Sequence, residues 1–296
     1  MADSRPIGIF DSGLGGLTIA RKLADTMPHE TFLYFGDTLR CPYGKKSPEE
    51  VLQFSKEIAA WLLQRDIKLL VIACNTATAA AYTTLKETLP IPVIGVIEPG
   101  AKAGIEKSSN KRIGVLATEA TVTSAAYLDA IHTLNPKAKV FQAASPDSVD
   151  FVEGLMATAP EKEEIWLQYD TEHLLAKALP IAERDCKALK EAEVDTVILG
   201  CTHFPLLKPI FQKVFGTGVT LVSSAEETQK AVAACLVDKN IKASEQHMPH
   251  HKFATTADAI ERFSRGGSFI FGRPLYEVQP VSLASLRSPT SFTSLT

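Results

Sequence analysis

Two short apolar runs of this chain end in cysteine in matching settings. Leu69-Leu70-Val71-Ile72-Ala73 leads into Cys74-Asn75-Thr76, and Thr196-Val197-Ile198-Leu199-Gly200 leads into Cys201-Thr202-His203. A β-branched apolar run closed by a small residue, then by hydroxyl or amide residues, reads as a buried strand turning tightly into a helix. In open α/β sheets, ligands bind outside that carboxyl end of the strands. The repetition predicts two units of one kind, each presenting a thiol at its sheet edge. Such a pair is suited to flank one substrate.

The rest of the chain follows the same grammar. Ile7-Gly8-Ile9-Phe10 reads as a strand, Asp11 to Gly16 as a turn and Leu17 to Met27 as a helix of 3.6-residue apolar period. A strand over Thr31 to Phe35 and a loop over Gly36 to Lys46 come next. A helix then opens at Ser47-Pro48-Glu49-Glu50, where a Ser cap, Pro and early acids suit a helix start, and runs to about Gln64. After the Cys74 strand come a helix from Thr76 and a strand over Pro92 to Ile97. Strands alternating with helices give a parallel sheet covered on both faces.

At Arg112 the pattern restarts, with Ile113-Gly114-Val115-Leu116-Ala117-Thr118 echoing Ile7-Gly8-Ile9-Phe10-Asp11-Ser12. The cysteine strands are farther apart than the first strands, so the second half carries extra residues. The stretch 157–189, with its charged run Glu161 to Glu164, reads as a helical surface elaboration. Val219 to Val222 and a helix from Ala225 to Leu236 read as returning to the first sheet. The expected organisation is thus two similar open α/β domains with parallel sheets, related by pseudo-symmetry, with the active site between them. The first comprises residues 1–98 and 211–281, and the second residues 99–210 with the insertion. Residues 238–251 form an exposed loop and 282–296 a flexible, Ser/Thr-rich tail.

Composition bounds the function. The 296 residues are 45% apolar and 22% charged, as in a globular protein with chain enough for two domains. A net charge of -3 with no basic cluster gives no footprint for nucleic acid, which points to a small-molecule substrate. The apolar runs fall far short of the roughly 20 residues a membrane span needs, and the first residues lack a signal peptide's apolar core. A cytoplasmic location is expected. Five cysteines without CxxC spacing indicate neither a disulfide framework nor a zinc ribbon, and no metal is expected.

The remaining motifs carry less. Gly13-Leu14-Gly15-Gly16 fits neither GxGxxG nor GxxxxGK[ST]; it reads as backbone amides binding a carboxylate or as a turn that needs glycine. His247, His250 and His251 lie in a polar loop and read as solvated. Cys186 and Cys235 read as buried or incidental helix residues, and Cys41 lies in a loop near the motifs. A thiol acts as nucleophile or as general base and acid, and needs a lowered pKa that a helix N-terminus or an imidazolium supplies. Two thiols on opposite faces of one carbon suit acid/base work: one removes a proton from a stereocentre and the other returns one from the far side. That chemistry is racemisation without a cofactor.

Five motifs in order resemble the glutamate racemases of the aspartate/glutamate racemase family over nearly the whole chain. They are Asp11 to Leu17, Gly36-Asp37-Thr38 with Pro42 to Ser47, Ala73 to Ala77, Gly95 to Gly100 and Gly200 to Leu207. The resemblance implies an isomerase interconverting L- and D-glutamate and supplying D-glutamate for peptidoglycan, commonly as a homodimer. It implies that Cys74 deprotonates D-glutamate and Cys201 L-glutamate, assisted by Asp11 and His203 respectively. Ser12, Tyr43, Gly44, Asn75, Thr76 and Thr202, with Asp11 and His203, are the implied substrate contacts; Thr118, Thr121 and Glu153 are further pocket candidates. The lysines nearest a motif, Lys45 and Lys46, sit in a loop where an imine sink is not expected, so pyridoxal phosphate is not implied.

Overall fold

The computed structural model describes residues 2–157, 171–256 and 260–287. The chain divides into two compact units, Met1–Val96 with Thr228–Thr296, and Ile97–Glu227. In the first unit the strands are β1 (Ile7–Asp11), β2 (Phe32–Gly36), β3 (Leu69–Ile72) and β4 (Val93–Gly95). The second unit contributes β5 (Arg112–Ala117), β6 (Lys139–Ala144), β7 (Thr196–Gly200) and β8 (Thr220–Ser223). Two more, β9 (Lys252–Thr255) and β10 (Val278–Pro280), belong to the first unit. Each unit is an α/β domain on a wholly parallel sheet, of order β10-β9-β2-β1-β3-β4 in the first and β6-β5-β7-β8 in the second.

The order β2-β1-β3-β4 is repeated as β6-β5-β7-β8, so β1 answers to β5 and the cysteine strand β3 to β7. Strands β1, β3 and β7 are buried at every position, which their continuous apolar runs require inside a sheet covered on both faces.

In the first unit α1 (Leu17–Thr26), α2 (Pro48–Leu63) and α3 (Asn75–Thr88) connect the strands. The start of α2 is a capping box: Glu50 N donates to Ser47 Oγ at 3.2 Å and Ser47 N to Glu50 Oε2 at 3.0 Å, with Pro48 at the first helical position. Helices α4 (Ile97–Lys107), α5 (Glu119–Thr123), α6 (Ala126–Leu134), α7 (Pro146–Ala157), α8 (Thr171–Glu191) and α9 (Lys208–Phe215) belong to the second unit. Helix α10 (Ser224–Asp238) spans the division, and α11 (Ile260–Phe271) and α12 (Leu283–Leu286) complete the first unit.

Three expectations are corrected. Strand β8 does not return to the first sheet: it pairs with β7, Thr196 opposite Thr220 through Leu199 opposite Ser223. It is the counterpart of β4, reached through α9 as β4 is reached through α3. The chain therefore crosses back after Glu227 rather than after residue 210. Helix α8 is no surface elaboration, because it is the crossover from β6 to β7, the counterpart of α2. It buries Ala178, Ala182, Cys186 and Leu189 against its unit; the rest of the insertion, 158–170, lies outside the described residues. Finally, the segment after residue 281 begins with an ordered turn of helix. Ser285 N donates to the Ser282 cap at 3.2 Å, Leu286 is fully buried, and α12 packs on α2. Residues 288–296 lie outside the described residues. No described helix is long and apolar enough to cross a membrane.

Candidate active site

In the first unit Asp11 ends β1 and Cys74 follows β3, its immediate neighbour, so both stand at the carboxyl edge of adjacent parallel strands. Ala73 N still donates to Phe10 O at 2.8 Å, continuing the ladder to the residue before the thiol. Gly16 permits the close approach there: a Cβ on it would lie 2.6 Å from Asp11 Cβ and 3.0 Å from Ala73 Cβ. Asp11 is fully buried, and Gly13 N donates to its Oδ2 at 2.9 Å, which holds the glycine turn in shape.

Cys74 caps α3. Its Sγ accepts from Ala77 N at 3.4 Å, and the thiol donates to Ser12 Oγ at 3.8 Å. A sulfur facing the amides at the N-terminus of a 14-residue helix lies where the helix dipole favours negative charge. Asn75 and Thr76 form the first turn of α3 and are buried. Tyr43 and Gly44 lie in a 3-10 turn, Tyr43–Lys45, packed on α3; Tyr43 shares the buried core of Cys74. The Tyr43 hydroxyl donates to Asp37, and burial together with that carboxylate raises it well above the ordinary phenol range.

The second unit is built differently. Cys201 follows β7 and Thr118 follows β5, again neighbouring strands, but no long helix begins at Cys201. A 3-10 turn, Phe204–Leu207, comes first, and Phe204 N donates to Cys201 O at 3.2 Å. The sulfur lies 3.4 Å from His203 Nδ1, and His203 Nε2 lies 2.7 Å from Glu153 Oε1 on α7. Burial alone would disfavour the imidazolium. The sulfur and Glu153 outweigh it, raising His203 well above the usual imidazole range. Gly200 leaves room for Tyr127, whose ring edge would sit 2.9 Å from a Cβ there. Thr202 is buried beside the thiol. Thr118 caps α5 and its hydroxyl meets that of Thr121 at 2.9 Å.

The residues named from sequence thus collect into two clusters. Asp11, Ser12, Tyr43, Gly44, Cys74, Asn75 and Thr76 belong to the first unit; Thr118, Thr121, Glu153, Cys201, Thr202 and His203 belong to the second. Sequence reading linked Cys201 to His203 but could not pair His203 with Glu153, which reaches it from another helix. It placed Asp37 in a motif but gave no role to it, to Arg40 or to Glu57, charges that only the fold joins. Cys41 lies beside the glycine turn, its sulfur 3.2 Å from where a Cβ on Gly13 would stand. Cys186 is fully buried and its thiol is pushed up to about 12 by burial, as for a packing residue. Of the loop histidines, His247 Nε2 meets Thr31 Oγ1 at 3.0 Å, His250 meets Glu277 at 3.3 Å, and His251 stacks on Phe32. Among the described residues no group of three His, Cys, Asp or Glu is placed to hold a metal ion.

The sequence matches the Asp/Glu/Hydantoin racemase family over residues 17–232. This chain belongs to that racemase family. It is similar to the glutamate racemase of Geobacter metallireducens, with 44% identity over 280 residues covering 94% of this chain and 97% of the relative. The glutamate racemase of Oceanobacillus iheyensis is 41% identical, covering 95% and 97%. Among solved structures, glutamate racemase isoform RacE1 from Bacillus anthracis superposes with a TM-score of 0.85 at 38% identity, covering 94% of this chain and 98% of that one. Glutamate racemase from Francisella tularensis in complex with D-glutamate gives 0.83 at 30% identity, covering 96% and 99%. The family fixes the reaction type as isomerisation by racemisation.

Proposed function

We propose that the protein is a glutamate racemase that inverts the α-carbon with Cys74 and Cys201 and no cofactor. The observation that carries this is the pair of buried thiols at the same position of two sheets that share a four-strand order, each with its own electrostatic support. In this reading Cys74 takes the α-proton of D-glutamate while Cys201 delivers one from the opposite side. The reverse direction exchanges the roles. Cys74 works with Asp11 and Ser12 from the N-terminus of α3, and Cys201 with the His203–Glu153 pair.

The chemical difficulty is the weak acidity of an amino-acid α-proton. Donors that strengthen their hold as charge builds on the α-carboxylate lower that barrier. Ser12, Asn75, Thr76 and Thr202, with the backbone amides near Tyr43 and Gly44, are the groups we assign to the two carboxylates of glutamate; Thr118 and Thr121 are assigned to the pocket wall. The product D-glutamate would serve peptidoglycan synthesis in the cytoplasm, and the working form would be a homodimer.

The first test is circular dichroism of purified protein with L-glutamate and no additive, repeated with L-aspartate in deuterated water. Decay of the glutamate signal to zero, without exchange of the aspartate α-proton, is the expected result. Absence of change with glutamate would overturn the assignment.

A further inference from the structure

A buried charge cluster lies under the Arg40-Cys41-Pro42-Tyr43-Gly44 loop. Asp37, Arg40 and Glu57 are exposed by 0%, 6% and 3%. Arg40 Nε donates to Asp37 Oδ2 at 2.6 Å, and its Nη1 donates to Glu57 Oε2 at 2.5 Å. The Tyr43 hydroxyl donates to the same Asp37 Oδ2, and Thr256 Oγ1 donates to Oδ1 at 2.9 Å while accepting from Leu39 N at 3.0 Å. Gln53 Nε2 donates to Glu57 Oε1 at 3.1 Å, and the Arg40 guanidinium lies over the Phe54 ring at 4.0 Å.

Stability is a poor reason for such a cluster. Apolar residues of similar volume commonly do as well as a buried ion pair, whereas losing one partner strands a charge. What the cluster does accomplish is orientation. Asp37 receives three side-chain donors, Arg40 and Tyr43 from the loop that follows it and Thr256 from beyond β9, which orients the Tyr43 hydroxyl toward the carboxylate. Asp37 N donates to Asp11 O at 3.0 Å, tying the cluster to the strand end that carries Asp11. Tyr43 shares the core of Cys74 and sits in a turn packed on α3, whose cap is that thiol.

We infer that Asp37, Arg40 and Glu57 are positioning residues of the Cys74 site: they fix the Tyr43 hydroxyl and hold its loop against the N-terminus of α3. This rests on the reading of Cys74 as an acid/base thiol. In this proposal the three residues act through Tyr43 and the loop.

The test uses the full chain with Tyr43→Phe and Arg40→Met. Alkylation of Cys74 and Cys201 by iodoacetamide is followed separately by peptide mass spectrometry across pH, beside kcat, KM and the melting temperature. Both variants are expected to change the Cys74 rate by about fivefold or more and leave Cys201 within about twofold, because only the Cys74 surroundings shift. The kcat is expected to fall by about tenfold or more with KM nearly constant, since small misplacements act on the chemical step. Should Arg40→Met fail to fold, Tyr43→Phe, which removes one oxygen, carries the test. An unchanged Cys74 rate in the folded variants, or equal changes at both cysteines, overturns the proposal. So does a Tyr43→Phe enzyme with raised KM, unchanged kcat and unchanged alkylation, which would make the phenol a substrate ligand. Alkylation is read without glutamate, so a wild type that fails to racemise overturns the functional reading separately.

Discussion

His203 is the residue whose surroundings make the sharpest demand. A buried imidazole ordinarily loses its proton, yet here sulfur on one side and carboxylate on the other hold it. Because its folded pKa lies above the unfolded value of about 6.5, its contribution to stability is complete below that pH and is lost as pH rises through the folded value. Proton NMR of the imidazole should find it still charged above neutral pH, and Glu153→Gln should lower its pKa. An unchanged titration in that variant would remove Glu153 from the role. His203→Asn should lower kcat by about 10²-fold, at the lower end of general acid/base contributions. The two enantiomers have equal free energy, so kcat/KM must fall alike in both directions. A side-specific role therefore appears as a larger fall in kcat from L-glutamate, with the KM for that enantiomer changing in proportion. Equal falls in both kcat values would leave His203 unassigned to a side.

At the scale of elements, the strands other than β6, β9 and β10 were legible where a short apolar run met a turn, since a parallel strand buried on both faces is written as such a run. Cys74 and Cys201 were visible for the same reason: each breaks an apolar run at its carboxyl end. The placement of β8 was not legible, because Thr220-Leu221-Val222-Ser223 pairs equally well with any parallel neighbour and only the repeated strand order decides. Likewise α8 and α12 hid behind charge and Ser-rich composition. Their burial comes from a few small or apolar positions, Ala178, Ala182, Cys186 and Leu286.

The edge toward β9 carries its own pH dependence. Phe32 N donates to His251 Nδ1 at 3.4 Å and the rings stack at 4.8 Å, which needs a neutral imidazole. Burial, then Arg273 and His250, lower its pKa to about 4. Its stabilisation is complete above the unfolded value and is lost as pH falls from about 6.5 toward about 4. Urea unfolding should show wild type losing about 1–2 kcal/mol over that window relative to His251→Phe, a figure reduced for the ring's partial solvation. Parallel pH curves for the two proteins would remove His251 as the cause.

For the whole molecule, the proposed mechanism gives one thiol in each unit half of one reaction. Serine is too weak an acid and base to replace either, so Cys74→Ser and Cys201→Ser should each lose about 10³-fold or more in racemisation. Loss alone does not distinguish two bases from one base and one structural cysteine. A glutamate bearing chloride on Cβ does, because elimination needs only removal of the α-proton and departure of chloride; no thiol need return a proton to the α-carbon. Cys74→Ser retains Cys201 and should eliminate chloride from the L-configured compound while failing on the D-configured one. Cys201→Ser should show the opposite preference. If both variants favoured the same enantiomer, or if either eliminated from both, the division of labour between the two units would be wrong, however completely racemisation had been lost.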